Sequence, residues 1–244
     1  PHNPDLYEMF LCAFTPKSKR SPLLKYNYNA IFHGVKLYTS LGYLPHHPIL
    51  MNIFKICEEK GIPVTSHCGG IRTHPSKDYI DIQCLDNNLN PKSDNFSLEN
   101  DKTNGKDFAE YFVDPEHWRL VLRKHPKLKL NIAHMGNNKE WVDYRRDRAF
   151  GTVQRTINLI KDHENVYADL SYSFYKKVNV RAIFKAIKEH SYLKNKVMYG
   201  SDFYMCLMEK GDLKDFFSYS HEVFSKDSAI YDRVFVKNAI NFLM

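Results

Sequence analysis

Short apolar runs alternate with amphipathic stretches along most of the chain. Six runs have the length and composition of buried strands, at residues 6–14, 30–38, 62–67, 127–134, 165–171 and 196–202. Most stretches between them carry apolar residues at helical spacing. Strands that alternate with helices predict a parallel α/β sheet, built either as a closed barrel or as a doubly wound sheet.

Two of the predicted helices carry clear start or stop signals. The stretch HHPILMNIFKICEEKG (46–61) has one apolar face, and its final glycine, followed by Pro63, predicts the end of a helix. Asp114 and Pro115 suit the first positions of another helix. Further helices are predicted near 148–162 and 179–190, and two more close the chain, the last around 231–243.

One long segment breaks this alternation. Residues 71–107 are rich in Asn, Asp, Ser and Lys and show no apolar period. We expect a polar insertion or active-site loop within a single domain that spans residues 1–244. No GxGxxG or GxxxxGK[ST] motif occurs, which disfavours the nucleotide-binding versions of a doubly wound sheet.

Composition narrows the class of protein further. Hydrophobic residues make up 43% and charged residues 26% of the 244 positions, and no apolar run approaches the roughly 18 residues of a membrane span. The N-terminal residues do not resemble a signal peptide. The net charge of +7 comes from lysines spread along the chain, often beside acids, so we expect neither a nucleic-acid nor a membrane partner.

The cysteines indicate a reducing compartment. Five cysteines are an odd number and form no CxxC pair, which argues against a disulfide framework and a zinc–cysteine cluster. We therefore expect a cytoplasmic protein, as a monomer or a homodimer.

Polar residues stand at the ends of the predicted strands. His67, His134 and Asp202 end three of the runs, Lys36 lies near the end of another, and 165–171 carries Asp169 and Ser171 at its end. In a parallel α/β barrel these ends share the face where catalytic groups are found. Imidazole and carboxylate are ligands of Zn²⁺ and similar ions, which activate water at neutral pH.

Each of these residues also has a plainer explanation. His67 and His134 could be packed histidines at strand ends, Asp202 could cap the following helix, and Lys36 could be a surface lysine. Chance gives polar residues no reason to favour the same end of each strand. The set together therefore favours metal or acid–base chemistry.

The motifs at these positions resemble the amidohydrolase 2 branch of the amidohydrolase superfamily. GVKLY, TSHCG, LNIAHMG and YGSDF match in order the family's G-x-K-L on strand four, x-H-x-G on strand five, histidine on strand six and G-[ST]-D on strand eight. VKNAINFL resembles its final helix. The resemblance runs from about residue 30 to 244 and implies a (β/α)8 TIM barrel.

The resemblance also implies roles for individual residues. His67 would be a ligand of a divalent metal, most simply Zn²⁺ with Mn²⁺ as the alternative. Asp202 would bind the metal or the attacking water and act as general base, and His134 would orient the water or be a further ligand. Lys36 would contact the substrate or serve the structure. Arg72, and His74 beside it, would meet an anionic substrate.

One family motif is missing. The first barrel strand should carry H-x-H, and no such pair occurs. The run at 6–14 looks like strand three, so the barrel appears without its first two strands. These strands either lie upstream of Pro1 or have been lost, and in the second case the barrel binds no metal in the usual way, as is thought for a lactonase of this branch that acts on pyrone dicarboxylates.

Three functions follow from the resemblance. The first is a metal-dependent hydrolase that cleaves an amide, ester or lactone of a small polar molecule. The second is a metal-dependent decarboxylase of the same branch, which would need a carboxylate-binding arginine such as Arg72. The third is a non-catalytic barrel that binds a ligand or partner.

Overall fold

The computed structural model describes most of the chain. It covers residues 1, 3–15, 32–69, 79–97, 105–136, 138–146, 151–173, 177–210 and 213–244. Among these residues, no helix is long and apolar enough to cross a membrane.

The described strands belong to two sheets. In chain order the strands are β1 (Val35–Leu37), β2 (Val64–His67), β3 (Tyr79–Leu85), β4 (Pro91–Ser97), β5 (Leu130–Ala133), β6 (Val166–Asp169) and β7 (Val197–Met198). Five of them form a parallel sheet in the order β1-β2-β5-β6-β7, and β3 and β4 form an antiparallel hairpin. Because neighbouring strands of this sheet run parallel, the chain must return along the sheet after each strand, and each of these connections contains at least one helix.

Helices fill these connections and both ends of the described chain. They are α1 (Leu6–Phe14), α2 (Pro48–Lys60), α3 (Gly105–Phe112), α4 (Trp118–Lys124), α5 (Asn138–Arg146), α6 (Thr152–Asp162), α7 (Lys177–Glu189), α8 (Phe203–Lys210), α9 (Leu213–Phe224), α10 (Ser228–Asp232) and α11 (Asn238–Leu243). A π-helical turn at Arg233–Lys237 joins the last two.

Burial explains the apolar composition of the central strands. All four residues of β5 are buried, because the strand has neighbours on both edges and helices over the sheet. Phe54 of α2 and Trp118 of α4 pack against each other with ring centroids 5.4 Å apart, and both are almost fully buried. The main core therefore lies between the sheet and its helices.

The predicted helix at 46–61 is confirmed as α2, and it ends at Gly61 as predicted. His47 caps α2, because its Nδ1 accepts a hydrogen bond from the backbone N–H of Ile49. Gly61 ends the helix with φ +67°, a left-handed conformation that costs glycine little. Asp114 likewise caps the turn that leads into α4, as predicted.

The prediction of a strand at 6–14 is wrong. These residues form α1, in which Phe10 packs against Phe14 one turn later with centroids 4.8 Å apart. A short apolar run does not distinguish a strand from a helix by its period alone. The described parallel strands therefore number five instead of six, and they match strands four to eight of the expected barrel.

The insertion contains more regular structure than predicted. Within 71–107, the hairpin of β3 and β4 and the first residues of α3 are ordered elements. A small separate core holds the hairpin against the rest of the protein, formed by Leu44, Ile82, Cys84, Phe108 and Phe112. The segment expected as a polar insertion or active-site loop therefore contains a hairpin and the start of a helix.

Two helices were predicted to close the chain, and the described residues from 203 onward form the helices α8 to α11. The asparagine of VKNAINFL has a structural role there. Asn238 is buried, and its Nδ2 donates to the carbonyl oxygens of Lys194 and Val197 at 2.9 and 2.7 Å. These bonds fasten α11 to β7 and to the turn before it.

Candidate active site

Two histidines meet where neighbouring parallel strands end. His67 is the last residue of β2, and His134 directly follows β5. His134 Nε2 lies 3.1 Å from His67 Nδ1, and the rings are nearly perpendicular, with centroids 4.7 Å apart. Both side chains are buried. The parallel pairing of β2 with β5 brings them together although 67 positions separate them in the chain.

The surroundings of His134 determine which of its nitrogens carries the proton. Its Nδ1 lies 2.9 Å from both the carbonyl oxygen and the hydroxyl oxygen of Ser171. A carbonyl oxygen only accepts, so Nδ1 is the donor. A neutral His134 therefore has its lone pair on Nε2, the nitrogen that faces His67.

Asp169, the last residue of β6, accepts hydrogen bonds from several groups around His134. Its Oδ1 accepts the backbone N–H groups of His134 and Ser171, each at 3.0 Å, and the Ser171 hydroxyl. Its Oδ2 accepts the side-chain amide of Asn131 at 2.7 Å. Burial would raise the pKa of Asp169, but His134 and the hydrogen bonds from Ser171 and Asn131 outweigh it and lower the pKa.

The backbone at the strand ends is unusual for residues with side chains. His134, Tyr172 and Asp202 have φ values of +70°, +60° and +49°, which cost L-residues energy and are often found at functional sites. Ser173 supports the turn after β5, because its hydroxyl donates to the carbonyl oxygens of His134 and Gly136. The strand ends are therefore held in place by side-chain hydrogen bonds.

His67 is enclosed on its other face. Tyr38 stacks on its ring with centroids 4.7 Å apart and an interplanar angle of 15°. Burial, His134 and Lys36 lower the pKa of His67 to about 3, although the nearby Gly69 carbonyl opposes this. His67 Nε2 is buried and makes no hydrogen bond of good geometry to the described residues. His67 is therefore a neutral base near pH 7.

Lys36 interacts electrostatically with both His67 and Asp202. Much of the Lys36 side chain is exposed, but desolvation of its ammonium still lowers the pKa, while Asp169 and Asp202 act in the opposite direction. Its Nζ lies 5.2 Å from the centre of the Tyr38 ring. Asp202 is half-buried ahead of α8, where its carbonyl accepts the backbone N–H groups of Met205 and Cys206.

The structure thus brings together four of the predicted residues to different degrees. His67 and His134 are in direct contact, Lys36 interacts electrostatically with His67, and Asp202 interacts electrostatically with Lys36. Arg72 and His74 lie outside the described residues. Within the described part of the chain, no three His, Cys, Asp or Glu side chains are arranged as a ready metal site. The ligand set His67, His134 and Asp202 stays a prediction.

The histidine pair fits two ligands of one metal ion. Zinc–nitrogen bonds are about 2.0–2.1 Å long, so two imidazole ligands of one ion have nitrogens roughly 3–3.4 Å apart. The 3.1 Å between His134 Nε2 and His67 Nδ1 falls within this range. The bond from His134 Nδ1 to the Ser171 carbonyl is also the support that metal-binding histidines usually have.

Three residues of the site were not assigned a role from sequence. Asp169 and Ser171 were recognised only as polar residues at a strand end, and Asn131 was not singled out. The available signal was a polar residue inside an otherwise apolar strand, since Asn131 stands between Leu130 and Ile132. Its partner could not be read from sequence, because it lies on the adjacent strand.

A family model described as amidohydrolase (Amidohydro_2) matches residues 25–243. The chain belongs to the amidohydrolase family. No curated protein matches it. The resemblance drawn from the strand-end motifs is therefore confirmed, over nearly the same residues.

Solved structures of amidohydrolase type share the fold. An uncharacterised TIM-barrel protein of Bordetella bronchiseptica is 18% identical with a TM-score of 0.53, and covers 87% of this chain and 57% of its own. A putative 2-pyrone-4,6-dicarboxylic acid hydrolase of Pseudomonas putida is 12% identical with a TM-score of 0.53, covering 86% and 63%. An amidohydrolase of Burkholderia multivorans is 9% identical with a TM-score of 0.53, covering 88% and 66%.

These likenesses establish the fold of the amidohydrolase chain as that of the TIM barrels, α/β with a parallel sheet, as predicted. The chain spans less than two thirds of the length of each of these three structures.

A cavity of about 740 Å³ lies apart from the strand ends, between the hairpin and α4. Its charged groups already pair with one another or with neighbours. Arg119 binds Glu116 and Asp162, and Lys92 binds Asp94. We therefore treat the histidine pair, and not this cavity, as the candidate active site.

Proposed function

We propose that this amidohydrolase is a metal-dependent hydrolase of an amide, ester or lactone of a small polar molecule. The observation that carries the proposal is the contact of His134 Nε2 with His67 Nδ1 at the carboxyl ends of adjacent strands. When His67 carries its own proton on Nε2, both facing nitrogens have a lone pair available to one metal ion. The hydrolase named among the similar folds, for 2-pyrone-4,6-dicarboxylic acid, supports this reaction class.

His67 and His134 would hold a divalent ion, Zn²⁺ by preference and Mn²⁺ as the alternative. Such an ion supplies an activated water and polarises the bond to be cleaved. Two features of the chain keep the histidines in the protonation states that metal binding requires. Ser171 keeps the proton of His134 on Nδ1, away from the ion, and burial keeps His67 neutral with a pKa of about 3.

Asp202 and Lys36 complete the proposed chemistry. Asp202, half-buried ahead of α8, would take the proton of the attacking water as general base. Lys36, whose pKa is lowered by burial but raised by Asp169 and Asp202, would contact polar groups of the substrate. Arg72 is proposed for the same task toward an anionic group.

The proposal is tested by metal uptake in the full-length protein. We expect about one Zn²⁺ or Mn²⁺ per chain by elemental analysis after growth with both metals. His67→Ala should lose the metal, because it removes one of the two facing nitrogens. His46→Ala is the matched control, since His46 is a half-buried histidine whose Nδ1 bonds the His117 carbonyl away from the strand ends.

The outcomes separate the competing functions. Metal that is lost only in His67→Ala, together with cleavage of esters or lactones, supports the proposal. Release of CO₂ from carboxylic acids by the loaded protein would instead identify a decarboxylase. A native protein without metal after metal-replete growth would overturn the metal-dependent mechanism.

A further inference from the structure

A serine hydroxyl lies between the carboxylate and the imidazole of the site. Ser171 Oγ donates to Asp169 Oδ1 and is 2.9 Å from His134 Nδ1. A hydroxyl has one proton and two lone pairs, so the same oxygen could give its proton to an imidazole or accept one from it. The direction of this hydroxyl therefore influences which nitrogen of His134 carries the ring proton.

The groups around Asp169 determine that direction. Its two oxygens face the backbone N–H groups of His134 and Ser171 at 3.0 Å and the amide of Asn131 at 2.7 Å. All of these are donors, so the carboxylate acts only as an acceptor. The Ser171 proton therefore points to Asp169, and Ser171 Oγ offers only lone pairs to His134.

We propose that Asp169 is a positioning residue. By holding the Ser171 hydroxyl, it makes the hydroxyl oxygen a second acceptor beside the Ser171 carbonyl. The two acceptors together fix the proton of neutral His134 on Nδ1 and direct the Nε2 lone pair toward His67. Without Asp169, the hydroxyl could donate to Nδ1 and allow the opposite tautomer. The tautomer follows from the geometry alone, and only its effect on metal binding rests on the proposed function.

Close strand packing supports the arrangement. A Cβ at Gly200, which follows β7, would lie 3.0 Å from Ser171 Cβ and 3.4 Å from the Ser171 backbone nitrogen. Ser171 is thus confined between the ends of β6 and β7 and is itself buried. Its hydroxyl oxygen contacts Asp169 Oδ1 and His134 Nδ1.

The tautomer can be observed directly by NMR. The full-length, metal-free protein is labelled with ¹⁵N in its histidines, and the His134 signals are assigned from their loss in His134→Gln. In the native protein we expect the proton on Nδ1. In Asp169→Ala we expect the form protonated on Nε2 to become populated, because the Ser171 hydroxyl is released.

A double variant separates this role from a general structural one. In Asp169→Ala with Ser171→Ala, only the Ser171 carbonyl faces Nδ1, and we expect the proton to return to Nδ1. If Asp169 only held the backbone at the ends of β5 and β6 in place, the double variant would show at least as much His134 protonated on Nε2 as the single variant. Asp169→Leu, similar in size but without an acceptor, replaces Asp169→Ala if that variant does not fold.

Three results would overturn the proposal. The first is a native His134 protonated on Nε2. The second is an Asp169→Ala spectrum equal to the native one. The third is a double variant with the same mixture of His134 tautomers as Asp169→Ala. Thr156→Val is the matched control, because it removes a buried hydroxyl that bonds the Thr152 carbonyl at 2.8 Å outside the site. Its His134 signals should match the native ones.

Zinc affinity gives a second measurement with the same variants. Competition of the protein with a chromophoric chelator for Zn²⁺ should show at least about tenfold weaker binding in Asp169→Ala, the range found when support of a ligand histidine is lost. Part of this loss should be recovered in the double variant. If the native protein binds no Zn²⁺, the proposed function fails, whereas the NMR result still decides the role of Asp169.

Discussion

Single imidazoles in this protein respond strongly to burial. Desolvation is the largest cause that lowers the pKa of His67 to about 3 and of His46 to about 4. The sequence shows two histidines of the same chemical type, but one meets another imidazole at a strand end and the other bonds a carbonyl oxygen near the hairpin. Environment and not residue type decides their function.

The lowered pKa of His46 predicts a loss of stability in mild acid. The unfolded chain binds a proton near pH 6.5, whereas the folded protein binds it only near pH 4, so unfolding is favoured as pH falls between these values. His46→Gln should reduce the loss between pH 7 and pH 5 by roughly 1–2 kcal/mol, allowing for partial exposure of the ring. Urea unfolding at the two pH values measures this.

The glutamine variant also shows whether protonation of the His46 ring causes the loss of stability in mild acid. Glutamine retains an N–H donor for the His117 carbonyl but does not titrate. Equal losses of stability in the variant and the native protein would contradict the assignment to His46.

At the scale of elements, the turn between β5 and α5 has tight requirements. Gly136 has φ +82°, and a Cβ there would lie 2.8 Å from Val153 Cγ2 at the start of α6. Gly61, which ends α2, has a similar φ of +67°, but a Cβ there would contact nothing within 4 Å. The two glycines thus share a backbone conformation and differ in the space around them.

This difference predicts unequal effects of alanine. Both Gly136→Ala and Gly61→Ala should destabilise the protein by about 1–2 kcal/mol, because alanine disfavours positive φ. Gly136→Ala should cost roughly a further 1–3 kcal/mol, because its methyl group overlaps Val153. The free energies of unfolding in urea provide the comparison, and an equal cost at both positions would show that Val153 moves aside freely.

At the scale of the whole molecule, the helices are joined to the sheet by one continuous core. Phe54 is fully buried and contacts Trp118, so it links α2 to α4 over the sheet. In contrast, α8 follows Asp202 and exposes several large apolar side chains, among them Tyr204, which is 70% exposed. Aromatic residues in this chain therefore differ widely in their contribution to stability.

Because Phe54 is fully buried in this core, we expect its truncation to destabilise the protein strongly. Phe54→Ala should lower the free energy of unfolding by about 3–5 kcal/mol, because it leaves a cavity among α2, α4 and the sheet. Tyr204→Ala, the exposed control, should change it by about 0.5 kcal/mol or less. Thermal or urea unfolding followed by circular dichroism measures both, and similar values for the two variants would be inconsistent with this core.

The sequence alone determined the family, the parallel α/β class and the strand-end positions of His67 and His134, whereas the strand expected to end at Asp202 ends at Met198. Buried strands, helix caps and short motifs are local patterns, so they can be read along the chain. Gly61 and Asp114 were predicted correctly for this reason. The same local reasoning failed for 6–14 and for the hairpin, because short apolar or polar runs suit several structures and packing selects among them.

Tertiary structure decided what each strand end does. The pairing and register of separate strands bring His134 against His67 and bring the Ser171 carbonyl against His134 Nδ1. They also bring the Asn131 amide to the Asp169 carboxylate. Hydrogen bonds and pKa values depend on distances of a few ångströms between residues 35 or more positions apart. Periodicity along one chain carries no such distances, and the packed sheet supplies them.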